Sequence, residues 1–357
     1  MLWNDLEIME ARYKYLEGSL YLTTLCQSGI QNNLATTPSL SIDTSCPPRV
    51  DLMPLWDGTA RPHKIVVPLI SVRRFEMAEL EQVPYLLYEK EDNGVLWIKF
   101  NRPERLNAVI GGADKNGTLT KVLEYMQAGD DDPDVRIIVL TGVGRGFCSG
   151  ADQRGVDDFD SGGKKLGSVT TDSADASRQG FHYSTTKTIR DINYIRKPTV
   201  AMINGVAAGF GMDMALACDI RYGCENTRFI TYQQVGQIVE NGGCYWLPKL
   251  MGIGRALEFG MTGYLDAQTA HDWGVLNRLV PSEKLEEEVR ALCDRLLYTS
   301  PTIQWINKRI MRASLETSLE TVSVMTSNAS GIMGRLEDSQ EARQALAERR
   351  TPVFKGK

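Results

Sequence analysis

The pattern of hydrophobic and polar positions sharpens from Tyr85 onward into apolar and helical runs. Tyr85–Glu89 and Val95–Phe100 are β-rich runs separated by Asp92-Asn93-Gly94, the composition of a hairpin turn, and they predict two strands. Residues 118–126 have helical character and lead through turn residues 129–133 into Ile137–Leu140, a short apolar run suited to a buried strand. The pattern then predicts a helix over Tyr183–Ile195, a strand at Thr199–Ile203, a helix over Phe210–Cys218, and strands at Ile220–Tyr222 and Arg228–Thr231. Strands and helices in alternation imply an α/β layered architecture. The last third is helical: Ser282 is placed to cap a segment with Leu285, Val289, Leu292, Cys293 and Leu296 on one face. Ser300-Pro301 opens another with Ile303, Ile306, Ile310 and Met311.

Residues 1–76 do not share this patterning. They hold six of the 14 prolines and a Ser/Thr/Pro stretch at 36–48, which predicts an irregular or partly disordered extension, with Met77 as an alternative translation start. The expected organisation is therefore an extension over 1–76, a core over 77–280 and a helical region over 281–357. Residues 155–177, rich in Gly, Ser, Asp and Thr, are long for an unstructured loop, which marks them as mobile or functional.

With 42% apolar and 24% charged residues in 357, the chain has globular proportions, and its net charge of −5 gives no overall attraction for nucleic acid or an anionic membrane. No apolar run approaches the ~20 residues of a membrane helix. Asp5, Glu7 and Glu10 fit neither a secretory signal nor an organelle presequence. The seven cysteines, Cys26, Cys46, Cys148, Cys218, Cys224, Cys244 and Cys293, show no CxxC spacing, which argues against a zinc site or disulfide framework and favours the cytoplasm.

Two glycine-bearing turns each follow a buried strand: Gly146-Phe147-Cys148-Ser149-Gly150-Ala151-Asp152, and Asn204-Gly205-Val206-Ala207-Ala208-Gly209-Phe210-Gly211-Met212-Asp213. Small residues there let the backbone approach a ligand, and N–H groups at a helix start can donate to developing negative charge. Either turn alone is an ordinary α/β connection. Neither is GxGxxG nor a Walker loop, so dinucleotide and phosphate-cradle readings lack their motif. With only His63, His182 and His271, and no GxSxG elbow, a Ser/His/Asp hydrolase is unsupported; His271 reads as a helix-surface residue.

In combination, these segments resemble the crotonase (enoyl-CoA hydratase/isomerase) superfamily from about residue 84 to the end. Asn101-Arg102-Pro103-Glu104-Arg105-Leu106-Asn107-Ala108 resembles its opening motif, and residues 146–152 its first oxyanion turn. Residues 197–205 through Ala217-Cys218-Asp219-Ile220 resemble the second, and Ala347–Lys357 the family C-terminus. The resemblance implies a crotonase-like spiral of ββα units, a helical C-terminal trimerisation region giving a homotrimer or hexamer, and an acyl-CoA thioester as substrate, with no cofactor beyond its coenzyme A. It places the thioester oxygen between the backbone N–H groups of Ala151 and Phe210. The family often has glycine where Phe210 stands; the N–H survives, but the side chain must find room in the acyl pocket.

The resemblance also frames the proton chemistry. A hydratase of this family uses two glutamates, and at those positions this chain has Asp213 and Tyr232. Glu240 instead falls four residues after Gly236 and twelve before Gly252, a spacing similar to that of the catalytic carboxylate in the enoyl-CoA isomerases and of the nucleophilic aspartate in the CoA-thioester dehalogenases. Glu240 is thus expected to carry the proton, its pKa raised by apolar surroundings, with Asp213 positioning water or tuning it. Without the resemblance, Glu240 reads rather as a helix-start carboxylate, and Asp213 more strongly still as a packed helix residue. Tyr232 is expected to orient the thioester or acyl group through its hydroxyl, and Arg105 with Lys308 or Arg309 to meet the CoA phosphates. Hydrolysis or dehalogenation of a CoA thioester, or a non-catalytic binding module, are the alternatives.

Overall fold

The computed structural model describes residues 80–110, 116–152, 186–233, 236–239 and 242–357, and the backbone of a short hairpin. The chain divides into two units, Met1–Val72 and Arg73–Lys357. In the first, β1 (Tyr13–Leu16) and β2 (Ser19–Leu22) pair antiparallel, Tyr13 opposite Leu22. This regular element lies in a stretch read as irregular, because four-residue runs are too short to show a sustained period. The rest of 1–76, and residues 155–177, fall outside the described residues.

The second unit begins with β3 (Leu86–Lys90), β4 (Val95–Phe100), α1 (Thr118–Asp131), β5 (Ile137–Gly142), β6 (Gly146–Cys148) and α2 (Lys187–Ile192). It continues through β7 (Thr199–Ile203), β8 (Val206–Ala208), α3 (Phe210–Ala217), β9 (Ile220–Cys224) and β10 (Arg228–Ile230). Then come α4 (Gly243–Met251), α5 (Ile253–Thr262), β11 (Tyr264–Asp266), α6 (Ala267–Asp272) and β12 (Arg278–Val280), followed by α7 (Leu285–Leu297), α8 (Pro301–Ala313), α9 (Leu319–Met333) and α10 (Glu337–Glu348).

Successive strands feed two sheets in turn. One has the order β12-β9-β7-β5-β4-β3 and the other β11-β10-β8-β6, so β5, β7 and β9 lie in the larger sheet and β6, β8 and β10 in the smaller. Each ββ step thus advances both sheets by one parallel strand, which makes the chain a spiral of ββα turns. The larger sheet is covered on both faces. Leu96, Ile98, Ile138 and Leu140 pack with Leu119, Val122 and Met126 of α1, while Val95, Trp97, Ile137 and Val139 pack with Leu285, Val289 and Leu292 of α7. Burial on both sides is why these strands read as continuous apolar runs rather than alternating ones.

Some boundaries differ from expectation. α1 continues to Asp131. α2 stops at Ile192 because the N–H groups of Asn193 and Tyr194 fall back to the carbonyls of Arg190 and Asp191, both at 3.0 Å, while 181–185 lie outside the described residues. Ser282 does not cap α7: its Oγ donates to Glu225 at 2.7 Å, and its N–H to the same carboxylate at 2.8 Å. Ser300 does cap α8, accepting from the Ile303 N–H with Pro301 at the first helical position. Its isoleucines are only partly buried, and Met311 is 69% exposed. No described helix is long and apolar enough to cross a membrane.

Candidate active site

The two glycine turns are brought together by strands too short to read from sequence. β6 pairs with β8 in parallel, Gly146 opposite Val206 and Cys148 opposite Ala207, with a shift of register between them. The chain leaves both strands at the same end, so the turns touch. A side chain on Gly150 would lie 2.7 Å from the Ala208 carbonyl oxygen, and one on Gly209 would lie 3.8 Å from the Gly150 Cα. Gly150 has φ 84° and Gly209 φ 47°, conformations only glycine adopts without strain. Gly211 admits the helix itself, since a Cβ there would fall 2.0 Å from the Cys148 carbonyl.

The expected donors sit where the backbone leaves their N–H groups uncommitted. Ala151 forms a parallel bridge with Val109 in which the Val109 N–H donates to Gly150 O at 2.7 Å and the Asp152 N–H to Val109 O at 3.1 Å. In that pattern the bridged residue's own N–H points away from its partner strand. Phe210 is the first residue of α3, where no intrahelical acceptor exists. Among the described residues neither N–H has a hydrogen-bond acceptor. Each donor peptide is also held by its carbonyl: Gly150 O by Val109, and Gly209 O by the Asp213 N–H at 3.0 Å. Such bonds polarise the peptide and strengthen its donor end.

The opening motif clamps the first turn. The Leu106 carbonyl accepts from the Ser149 N–H at 3.0 Å, and the Arg105 carbonyl from Ser149 Oγ at 3.3 Å. Asn107, 2% exposed and in the left-handed region at φ 59°, accepts from the Arg102 N–H at 2.8 Å and donates to the Gly146 and Val143 carbonyls at 2.7 and 3.0 Å. Arg102 donates to the Ala108 carbonyl at 2.9 Å and pairs with Asp152 at 3.1 Å. Sequence reading assigned no role to Asn107, Arg102, Val109 or Asp152. The signal was present in Asn107 and the Asn-Arg-Pro run, since a polar residue inside an apolar domain must find partners.

Asp213 is 1% exposed on α3 and faces the start of α4: a Cβ on Gly243 would lie 3.0 Å from its Oδ1 and 2.5 Å from Val239 Cγ1. A carboxylate there is favoured by the unsatisfied N–H groups of a helix start. Burial, and then the charge of Asp213, push the Cys244 thiol upward. Glu240 lies outside the described residues; its neighbour Val239 packs partly buried against the core, within this same cluster.

Tyr232 departs from its expected role. Its hydroxyl donates to the Ser149 carbonyl at 2.5 Å instead of standing free for an acyl group, and burial raises its pKa, so it stays protonated as a hydrogen-bond donor at neutral pH. Lys308 is also corrected. Its ammonium, 9% exposed, donates to Asp219 at 2.6 Å and to the Lys197 carbonyl at 3.0 Å, which commits it to the fold rather than to a phosphate. Arg309 lies over the Tyr194 ring at 5.5 Å. Arg105 ends a 3-10 turn half-buried, and its guanidinium has no partner among the described residues. Phe210 packs partly buried against the core. A cavity of about 430 Å³ at the other end of α3, bordered by Cys218, Asp219, Trp246 and Lys308, includes no residue of the donor turns. His271 is on a helix surface, and Cys148, Cys218, Cys224 and Cys293 are buried.

Two glycine turns in contact, on a spiral of ββα units, are the features of a crotonase-fold chain. Over residues 90–357 the sequence matches the enoyl-CoA hydratase/isomerase family, and the protein is an enzyme belonging to that family. It is 30% identical over 271 residues to a 1,2-epoxyphenylacetyl-CoA isomerase of Escherichia coli, covering 74% of this chain and 97% of that one. It is 34% identical over 234 residues to a carnitinyl-CoA dehydratase of Proteus mirabilis, covering 64% and 84%. The fold matches a solved enoyl-CoA hydratase from Bacillus anthracis with a TM-score of 0.65 and 26% identity, over 76% of this chain and all of that one.

Proposed function

We propose that this protein binds an acyl-CoA thioester, stabilises its enolate between the N–H groups of Ala151 and Phe210, and moves a proton with Glu240, as an enoyl-CoA isomerase or hydratase. The observation that carries the reading is the contact between two turns whose donor peptides are fixed through their carbonyls while their N–H groups remain uncommitted among the described residues. Removing a C2 proton from a 3-enoyl thioester puts the electron pair on the thioester oxygen. Returning that proton at C4 leaves the 2-enoyl product, so one base suffices. Two fixed donors lower the cost of the charged intermediate, and losing one typically costs ~10²–10³ in rate.

Isomerisation is favoured over hydration because Tyr232 replaces the second hydratase carboxylate and donates its hydroxyl to protein. The similarity to a protein named as an isomerase of a CoA thioester supports the same choice. Hydration is the second reading, supported by the similarity to a dehydratase and by Asp213 beside Val239 and Gly243. Arg105 is the cation we assign to the CoA phosphates. A homotrimer or hexamer is the assembly proposed, since Met311, Leu319 and Val324 on α8 and α9 are exposed. The test is to incubate the protein with crotonyl-CoA, a 3-enoyl-CoA and a 2,5-dienoyl-CoA and to follow the thioester-conjugated chromophore. Turnover that disappears in Glu240→Gln supports the reading. No turnover together with no α-hydrogen exchange in D2O refutes it.

A further inference from the structure

We infer that Tyr232 is a positioning residue that ties the two donor turns together and sets the separation of their N–H groups. The inference deepens the enolate reading and rests on it. One short segment touches both turns: the Ile230 carbonyl accepts from the Gly209 N–H at 3.1 Å, and two residues later the Tyr232 hydroxyl donates to the Ser149 carbonyl at 2.5 Å. Between those bonds the ring lies across both glycines. Its Cε2 is 3.4 Å from where a Gly150 Cβ would stand and 3.2 Å from where a Gly209 Cβ would stand. The Tyr232 carbonyl is itself held, accepting from the Gln237 N–H at 3.1 Å.

The physical need for such a tie is specific to these turns. Glycine at positive φ on both sides leaves each donor peptide with the backbone freedom that side chains normally remove. The bond to Ser149 O fixes the peptide immediately before the Gly150–Ala151 donor. The Ile230 bond fixes the peptide immediately before the Gly209–Phe210 donor. A rigid aromatic ring wedged against both glycines then couples the two orientations. Oxyanion stabilisation depends on donors already in place when charge develops, so loosening the tie slows the chemical step without weakening substrate binding. Burial keeps the hydroxyl protonated, as this bond requires.

The test uses the full-length protein and α-hydrogen exchange of a saturated acyl-CoA in D2O. Tyr232→Phe keeps the ring and loses the hydroxyl; kcat for exchange is expected to fall about five- to tenfold with KM within about twofold. Tyr232→Leu loses ring and hydroxyl, and a fall of about 10²-fold is expected. Peptide-resolved hydrogen exchange gives a readout independent of turnover: amides in 146–152 and 205–212 exchange faster in both variants, while those of β4 and β5 are unchanged. Wild-type exchange with an equally fast Tyr232→Phe overturns the tie alone. A wild type that exchanges no α-hydrogen overturns the enolate reading and the tie with it. A KM increase at constant kcat also overturns the tie, because it assigns Tyr232 to substrate contact.

Discussion

Replacing Asn107 tests whether the opening motif builds the first donor turn. Its side chain makes three hydrogen bonds, accepting from the Arg102 N–H at 2.8 Å and donating to Gly146 O at 2.7 Å and Val143 O at 3.0 Å, from a site 2% exposed. Alanine leaves the buried Gly146 carbonyl and its two partly buried companions without these partners, at ~1 kcal/mol each where water reaches and ~1–3 kcal/mol where it does not. Asparagine and alanine both carry the Cβ that crowds the carbonyl in the left-handed region, so the φ of 59° adds nothing to the difference between them. The sum is about 3–5 kcal/mol for Asn107→Ala. Asn107→Gly loses the same bonds but relieves the backbone, and should be less destabilised by ~1 kcal/mol. Urea unfolding at constant m measures both. At about 2–4 °C per kcal/mol in a unit of this size, thermal unfolding of the alanine variant should shift by about 6–20 °C. An alanine variant within 2 °C of wild type, or a glycine variant less stable than the alanine, would refute the reasoning.

Two other predictions concern the scaffold. Asp219 is held well below the ordinary carboxylate range because Lys308 and Arg312, each at 2.6 Å, outweigh its burial. Its stabilisation is therefore present above the unfolded-state pKa and is lost as pH falls through the lower folded value. Asp219→Asn should cost about 3–5 kcal/mol at pH 7, with a difference that shrinks in acid; unchanged urea midpoints at pH 7 would count against it. Asp338 accepts from Ser300 Oγ at 2.6 Å and from the N–H groups of Lys355 and Gly356 at 2.7 and 3.0 Å. Asp338→Ala should release the last residues to carboxypeptidase and destabilise α8 by about 2–3 kcal/mol; a tail equally resistant to digestion would contradict the assignment.

What could be read from the sequence follows from element length. β4, β5 and β7 are five or six buried residues and show as apolar runs, as does the turn signal at Asp92-Asn93-Gly94. β6 and β8, which bring the donors together, are three residues each and sit inside glycine-rich segments, so no period can mark them. The N–H groups of Ala151 and Phe210 were expected from motif resemblance alone, and a backbone N–H does not depend on side-chain type. Tyr232 and Lys308 were placed on the right segments but given the wrong neighbours, since the partner of a long polar side chain is set by tertiary contacts such as Ser149 O and Asp219. Asn107 and Arg102 show the converse: the motif was visible, while its function as a clamp on residue 149 required the fold.

The claim that two backbone donors stabilise an enolate is tested most directly by Phe210→Pro measured against Phe210→Ala. Both lose the aromatic side chain, but only proline removes the N–H, and the first position of a helix accepts proline without breaking a helical bond. α-Hydrogen exchange of an acyl-CoA should be ~10²–10³ slower in Phe210→Pro than in Phe210→Ala, with similar unfolding midpoints. Equal exchange rates in two equally folded variants would contradict the account.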